Sequence, residues 1–169
     1  MAPKLIFPLL IGFLLISYPI NAQQNDVDAI VSDLYESISF NKDKDPDYEK
    51  FQSLFIDGGH LISVKDTTSF TLTPDDYEQS MTKQRESGNI IAFEEKELAR
   101  KTEQYGNILH LFSTYQTHVE TPDGTDSARG INSIQLMQKD GSWKVVSLIW
   151  YEEDQAHPLP EKYLPSDIN

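Results

Sequence analysis

The sequence predicts an α+β fold in which three N-terminal helices pack on a curved antiparallel sheet of four to six strands. Three observations carry this. Val27, Ile30, Val31, Leu34, Tyr35 and Ile38 recur at i, i+3, i+4, i+7, i+8 and i+11, which is one face of an amphipathic helix. From Asn89 onward the pattern changes to period two, the spacing of strands with one buried face. Lys139-Asp140-Gly141-Ser142 then separates two β-prone runs, Ile131 to Gln138 and Trp143 to Tyr151, and an Asp-Gly in that setting signals a hairpin.

Residues 1 to 22 read as a secretory signal: Lys4 supplies positive charge, Leu5 to Tyr18 is an apolar run too short to span a bilayer, and Ile20-Asn21-Ala22 precedes polar Gln23-Gln24-Asn25. The expected location is periplasmic or secreted. The sequence has no Cys, so neither a disulfide framework nor a lipid-bearing N-terminal Cys is available to the exported chain. The net charge of -13 is spread along the chain, which argues against nucleic acid and anionic membrane as partners. Residues 23–155 make one domain, and 156–169 a Pro-rich tail.

In order, Asn25 or Asp26 caps the first helix, and Asp45-Pro46 opens a second around Tyr48, Phe51, Leu54 and Phe55 that Asp57-Gly58-Gly59 ends. His60 to Val64 and Ser69 to Leu72 form a short strand pair. Thr73-Pro74-Asp75-Asp76 starts a third helix with Tyr77 and Met81 inward and Gly88 past its end. A four-stranded meander follows: Ile90 to Thr102, Ile108 to Glu120, the Arg129 strand and the Trp143 strand. Strict parity on the last strand leaves Trp143, Val145, Ser147, Ile149 and Tyr151 opposite Lys144, Val146, Leu148 and Trp150. Neither face is polar, which predicts cover on both sides and a homodimer through the sheet's outer face, with the tail as the other available cover. His157-Pro158-Leu159-Pro160 and Tyr163-Leu164-Pro165 keep that tail extended.

This order, with Leu54-Phe55-Ile56-Asp57 before the first strand and Gly141-Ser142-Trp143-Lys144-Val145-Val146-Ser147-Leu148 at the close, resembles the nuclear-transport-factor-2-like superfamily over about residues 26 to 155. That group holds SnoaL-type polyketide cyclases, ketosteroid isomerases and scytalone dehydratases. Glu94 to Arg100, Gly106 to Tyr115 and Arg129 to Leu136 resemble a narrower set of secreted bacterial members with no assigned chemistry. The resemblance implies a half-open cone whose mouth holds any ligand.

It also implies where to look for chemistry. Tyr35 stands where ketosteroid isomerases carry a first-helix tyrosine, but Ile62, Ser63 and Val64 occupy the position of their base, and Ser133, Ile134 and Gln135 that of their acid. The isomerase mechanism does not carry over. Scytalone dehydratases pair histidine with tyrosine, so His110 with Glu97 or Arg100 is an acid/base candidate, against a plain histidine between Ile108 and Phe112. Arg100, Arg129, Asn132 and Gln135 suit a carboxylate or carbonyl, against Arg100 and Arg129 pairing with Glu95 or Glu97. His110 and His118 lie roughly 26 Å apart along a strand at ~3.3 Å per residue, too far to share an ion, and the pattern predicts no metal and no cofactor.

The expected ligand is a small, largely apolar molecule with one polar end, bound near Tyr35, His60, Arg100, His110, Tyr115, Asn132 and Trp150 and lined by Phe55, Phe93 and Leu148. The other readings are a lyase or isomerase using His110 and Tyr35, and a non-catalytic interaction domain whose cone is filled by its own side chains.

Overall fold

The computed structural model describes residues 20–165. The expected signal, except for its last three residues, and the last four residues of the tail lie outside them. Helix α1 (Ile20–Ile38) buries all six residues of the predicted apolar face. It does not begin at Asn25 or Asp26: no Gly or Pro interrupts residues 20–38, so the helix runs on through both polar residues. A cut near Gln23 falls inside its first turns.

Helix α2 (Tyr48–Ser53) is capped by Asp47, whose Oδ1 accepts from Lys50 N at 2.9 Å, and not by Asp45. Asp47 N donates to Ser37 O at 2.7 Å, tying the cap to the end of α1, while Asp45 turns away to pair with Arg85. Asp57-Gly58-Gly59 does not stop this helix. The chain passes from Leu54 directly into β1 (Phe55–Lys65), and those residues form an irregularity in its pairing, with Gly58 at φ 78. Strand β2 (Thr68–Leu72) returns antiparallel, and α3 (Pro74–Glu86) opens with the reciprocal Thr73/Asp76 capping box that its sequence signals.

Strands β3 (Ala92–Tyr105), β4 (Ile108–Thr121), β5 (Gly124–Lys139) and β6 (Ser142–Glu152) form the meander, in a sheet of order β2-β1-β6-β5-β4-β3. One pairing departs from the antiparallel expectation: β1 and β6 run parallel. After β2, α3 carries the chain to the far edge, and four antiparallel strands bring β6 back beside β1 in the same direction.

Bulges curve the sheet around α1, one at Leu98 in β3 and one at Val146 in β6. The second overturns strict parity. Leu136 pairs with Val145 but Gln135 with Ser147, so the inner side passes from Trp143 and Val145 to Leu148, Trp150 and Glu152. Both tryptophans therefore share the concave face. The narrow end is packed with Leu109, Leu136, Trp143 and Val145, all at most 6% exposed.

The convex face is partly covered by the tail, which holds a 3-10 turn at Glu161–Tyr163 within its extended course. Thr114 Oγ1 donates to Tyr163 O at 2.6 Å, the Tyr163 ring lies 4.9 Å from that of Phe112, and Leu159 N donates to Glu153 Oε1 at 2.9 Å. Deleting residues 157 to 169 is expected to expose Phe112 and Thr114 and cost about 2 kcal/mol, from the apolar area at ~25 cal/mol per Å² and one lost hydrogen bond. Urea unfolding of the shortened chain checks this, and an unchanged midpoint contradicts it.

Candidate functional site

The wide end of the cone stays open. Inward residues of α1, α3 and the sheet enclose a cavity of about 290 Å³. Leu34 and Ile38 of α1, Leu61 of β1, Ile134 of β5 and Leu148 of β6 make its apolar floor; Tyr77, Met81, Phe93, Val119 and Trp150 make its walls. Phe70 of β2 stands edge-on to Trp150 at 6.4 Å and is 57% exposed. The polar lining is Tyr35, Glu95, Tyr115, Thr117, Asn132 and Glu152, with no Lys, Arg or His among the described residues.

Five side chains cross the inner face as one hydrogen-bonded line. Asn132 Nδ2 donates to Glu95 Oε1 at 3.0 Å and to Tyr35 Oη at 3.1 Å. Tyr35 Oη and Ser113 Oγ are 2.8 Å apart, and Ser113 Oγ donates to Glu97 Oε1 at 2.6 Å. Proton counting fixes the direction: Ser113 has spent its hydrogen on Glu97, so Tyr35 donates to Ser113. The Tyr35 phenol is thus committed within the protein and has no hydrogen to offer a ligand, contrary to the role the sequence suggested. The polar groups of the lining without a partner among the described residues include the acceptors Asn132 Oδ1, Glu95 Oε2 and the Glu152 carboxylate, the hydroxyls of Tyr77 and Tyr115, and the Trp150 indole N–H.

Burial pushes the Glu95 carboxyl up to about 7, against a smaller opposing pull from the Asn132 amide. No cation among the described residues lines the cavity beside it. Burial also raises Tyr35, Tyr77 and Tyr115, and for each the nearby Glu95 charge is the next cause. Glu95 is therefore poised to exchange a proton near neutrality.

Of the seven residues expected at the site, Tyr35, Tyr115, Asn132 and Trp150 meet in the cavity, with Phe93 and Leu148. Three do not. His110 lies on the convex face, because Leu109, Leu111, Ser113 and Tyr115 take the inward positions of β4; its Nε2 is 3.1 Å from Ser133 Oγ and its ring packs on Phe112. His60 pairs with Ser147 on the same outer side while its neighbour Leu61 points in. Arg100 is brought to the register of Ser113 by the Leu98 bulge and is held behind α1 by Asp28 and Glu97, in a more open hollow of about 500 Å³. Phe55 packs on Phe51 in the core and does not line the cavity. Arg129 pairs with Glu153 at 2.8 Å, not with Glu95 or Glu97, and Gln135 is exposed.

Glu95 and Glu152 are the residues that sequence reasoning missed. The signal for Glu95 was present: Phe93, expected in the lining, fixes the parity that turns Glu95 inward two residues later.

No family model and no curated protein matches this chain. Solved structures do. A protein of unknown function from Mycobacterium tuberculosis superimposes with a TM-score of 0.63 at 16% identity, covering 89% of this chain and 86% of its own. A hexachlorocyclohexane dehydrochlorinase from Novosphingobium barchaimii gives 0.62 at 11%, over 83% and 96%. A candidate scytalone dehydratase from Novosphingobium aromaticivorans gives 0.62 at 11%, over 79% and 86%. At such identities the likeness is one of fold, and the fold is the nuclear-transport-factor-2-like cone.

Proposed function

We propose that this protein binds a small, largely apolar organic molecule in the open cone, its polar end against Glu95 and Asn132. The observation that carries the reading is the 290 Å³ cavity, apolar on most sides and polar at one place. An interaction domain with a self-filled cone is disfavoured by the same opening. Titration with 3-phenylpropanol, followed by tryptophan fluorescence, tests it: saturable binding that Leu148→Trp abolishes is expected, and binding untouched by that substitution places the site elsewhere.

A second reading is favoured by Glu95 itself. A carboxyl that titrates near 7 beside an apolar cavity suits proton abstraction followed by loss of a leaving group, and two proteins of similar fold are named as a dehydrochlorinase and a candidate dehydratase. In this lyase reading Glu95 replaces His110 as the base. Turnover of a β-substituted substrate that vanishes in Glu95→Gln while binding persists would favour it.

The proposal includes export and self-association. N-terminal sequencing of exported protein is expected to begin near Gln23, and an intact Met1 in that fraction contradicts it. The proposed homodimer uses the convex face beyond the tail, where Ile149 is 37% exposed; only monomer by sedimentation at micromolar concentration contradicts it.

A further inference from the structure

The sign and hydrogen-bonding character of the cavity restrict what its polar end accepts. Glu95 and Glu152 line it, Glu97 stands at the far end of the Asn132-Tyr35-Ser113 line, and no cationic side chain among the described residues lines it. Arg100 and Arg129, the nearest candidates by sequence, are held by Asp28 and Glu97 and by Glu153. A carboxylate or phosphate would enter against like charge and find no Arg or Lys among the described lining residues.

The open polar atoms point the same way. Asn132 spends both amide hydrogens on Glu95 and Tyr35, so it presents its carbonyl oxygen, and Glu95 presents Oε2. Tyr115 is a second and separate observation: its side chain is only 4% exposed, it lines the cavity, and its hydroxyl has no partner among the described residues. A hydroxyl that faces the cavity without a protein partner is free to hydrogen-bond an occupant. Around these acceptors stand Phe93, Tyr77, Tyr115 and Trp150, whose ring faces attract a cation.

We infer that the ligand is an apolar organic amine bound as its ammonium, which donates to Glu95 Oε2 and Asn132 Oδ1 while its hydrocarbon or aryl body lies against the aromatic walls. This rests on the proposed binding function and names its ligand class. The cation supplies the charge partner that the buried carboxylate lacks, so amine binding and ionisation of Glu95 reinforce each other. The titratable groups lining the cavity with Glu95 are Tyr35 from α1, Tyr77 from α3, Tyr115 from β4 and Glu152 from β6, and β5 contributes Asn132, which does not titrate; the hollow behind α1, which Glu95 also lines, adds Asp28, Glu36, Lys44, Glu94, Lys96, Glu97 and Arg100. The three phenols stay neutral through the physiological range because burial raises each of them, so a pH dependence between 5 and 8 reports on the carboxylates.

Three probes of one shape provide the test: 3-phenylpropylamine, 3-phenylpropanol and 3-phenylpropionate, titrated into the intact protein by calorimetry at pH 8 and pH 5.5. At pH 8 the amine should bind about tenfold tighter than the alcohol, as a charge-assisted hydrogen bond exceeds a neutral one, and the propionate weakest. The amine's advantage of about tenfold should be largely lost at pH 5.5. Glu95→Gln should bring the amine to the level of the alcohol, and Glu95→Asp should retain part of the preference; thermal melts establish that both variants fold. Equal binding of amine and alcohol, or tighter binding of the propionate, overturns the ligand class and leaves the cavity reading standing. Failure of all three to bind overturns both.

Discussion

Glu95→Gln is expected to be more stable than the parent protein at pH 8, by about 3 kcal/mol, and equal to it at pH 4. The folded carboxyl takes up its proton at about 7, raised by burial, while in the unfolded chain it does so near 4.5. Below 4.5 both states hold the proton, and Glu95 has no effect on the balance. Between 4.5 and 7 the unfolded chain has released it and the folded one has not, so stability falls by about 1.4 kcal/mol per pH unit. Above 7 the folded carboxyl ionises too, and the cost stays constant. Gln keeps the oxygen that accepts from Asn132 and carries no charge, so the difference between the two proteins isolates this group. Urea unfolding from pH 4 to 8 measures it; a difference that does not widen across that interval contradicts a half-buried carboxylate without a cationic partner among the described lining residues. The gain from Gln is the expected signature of a site kept for function at the expense of stability.

Gly130→Ala is expected to lose about 3 kcal/mol, at the upper end of overpacking penalties. A Cβ at this position would stand 2.3 Å from Tyr151 O and 2.6 Å from Tyr115 Oη. The first neighbour is backbone of β6 and cannot withdraw without opening the pairing of Gly130 with Glu152. The second is the ring that forms one wall of the cavity. The substitution should therefore also weaken binding of 3-phenylpropanol at concentrations where the protein remains folded. Denaturant unfolding gives the first effect and titration the second. A loss under about 0.5 kcal/mol would mean that β5 and β6 lie farther apart at this point.

The apolar face of α1 was legible because six residues at helical spacing admit one arrangement, and the capping box of α3 because Thr73 and Asp76 satisfy each other locally. The strands were legible in order and approximate extent for a similar reason: alternation and turn residues are local signals. What escaped depends on single extra residues. A strict two-residue period carried through Val146 puts Trp143 and Trp150 on opposite faces, whereas the bulge puts both inside. The Leu98 bulge likewise moves Arg100 by one position and hands it to Asp28. Nothing in either strand's composition announces these irregularities; they arise where the sheet bends around α1. His110 was misjudged for a different reason. Histidine attracts attention as an acid or base, yet its own neighbours Leu109 and Leu111 are 1% and 0% exposed and fix its direction outward. Glu95 reads from the sequence as a cross-strand partner for Arg100 or Arg129, and its role changes only when Asn132 is placed across two strands from it.

The most direct test is a crystal structure of the protein soaked with benzyl alcohol, a neutral molecule with an apolar ring and one polar end. The account predicts the ring within the cavity against Trp150 and Leu148, with its hydroxyl at hydrogen-bond distance from Glu95 or Asn132 Oδ1. A cavity closed by inward movement of Tyr77 and Trp150, or the molecule bound only on the convex face near His110, would contradict it.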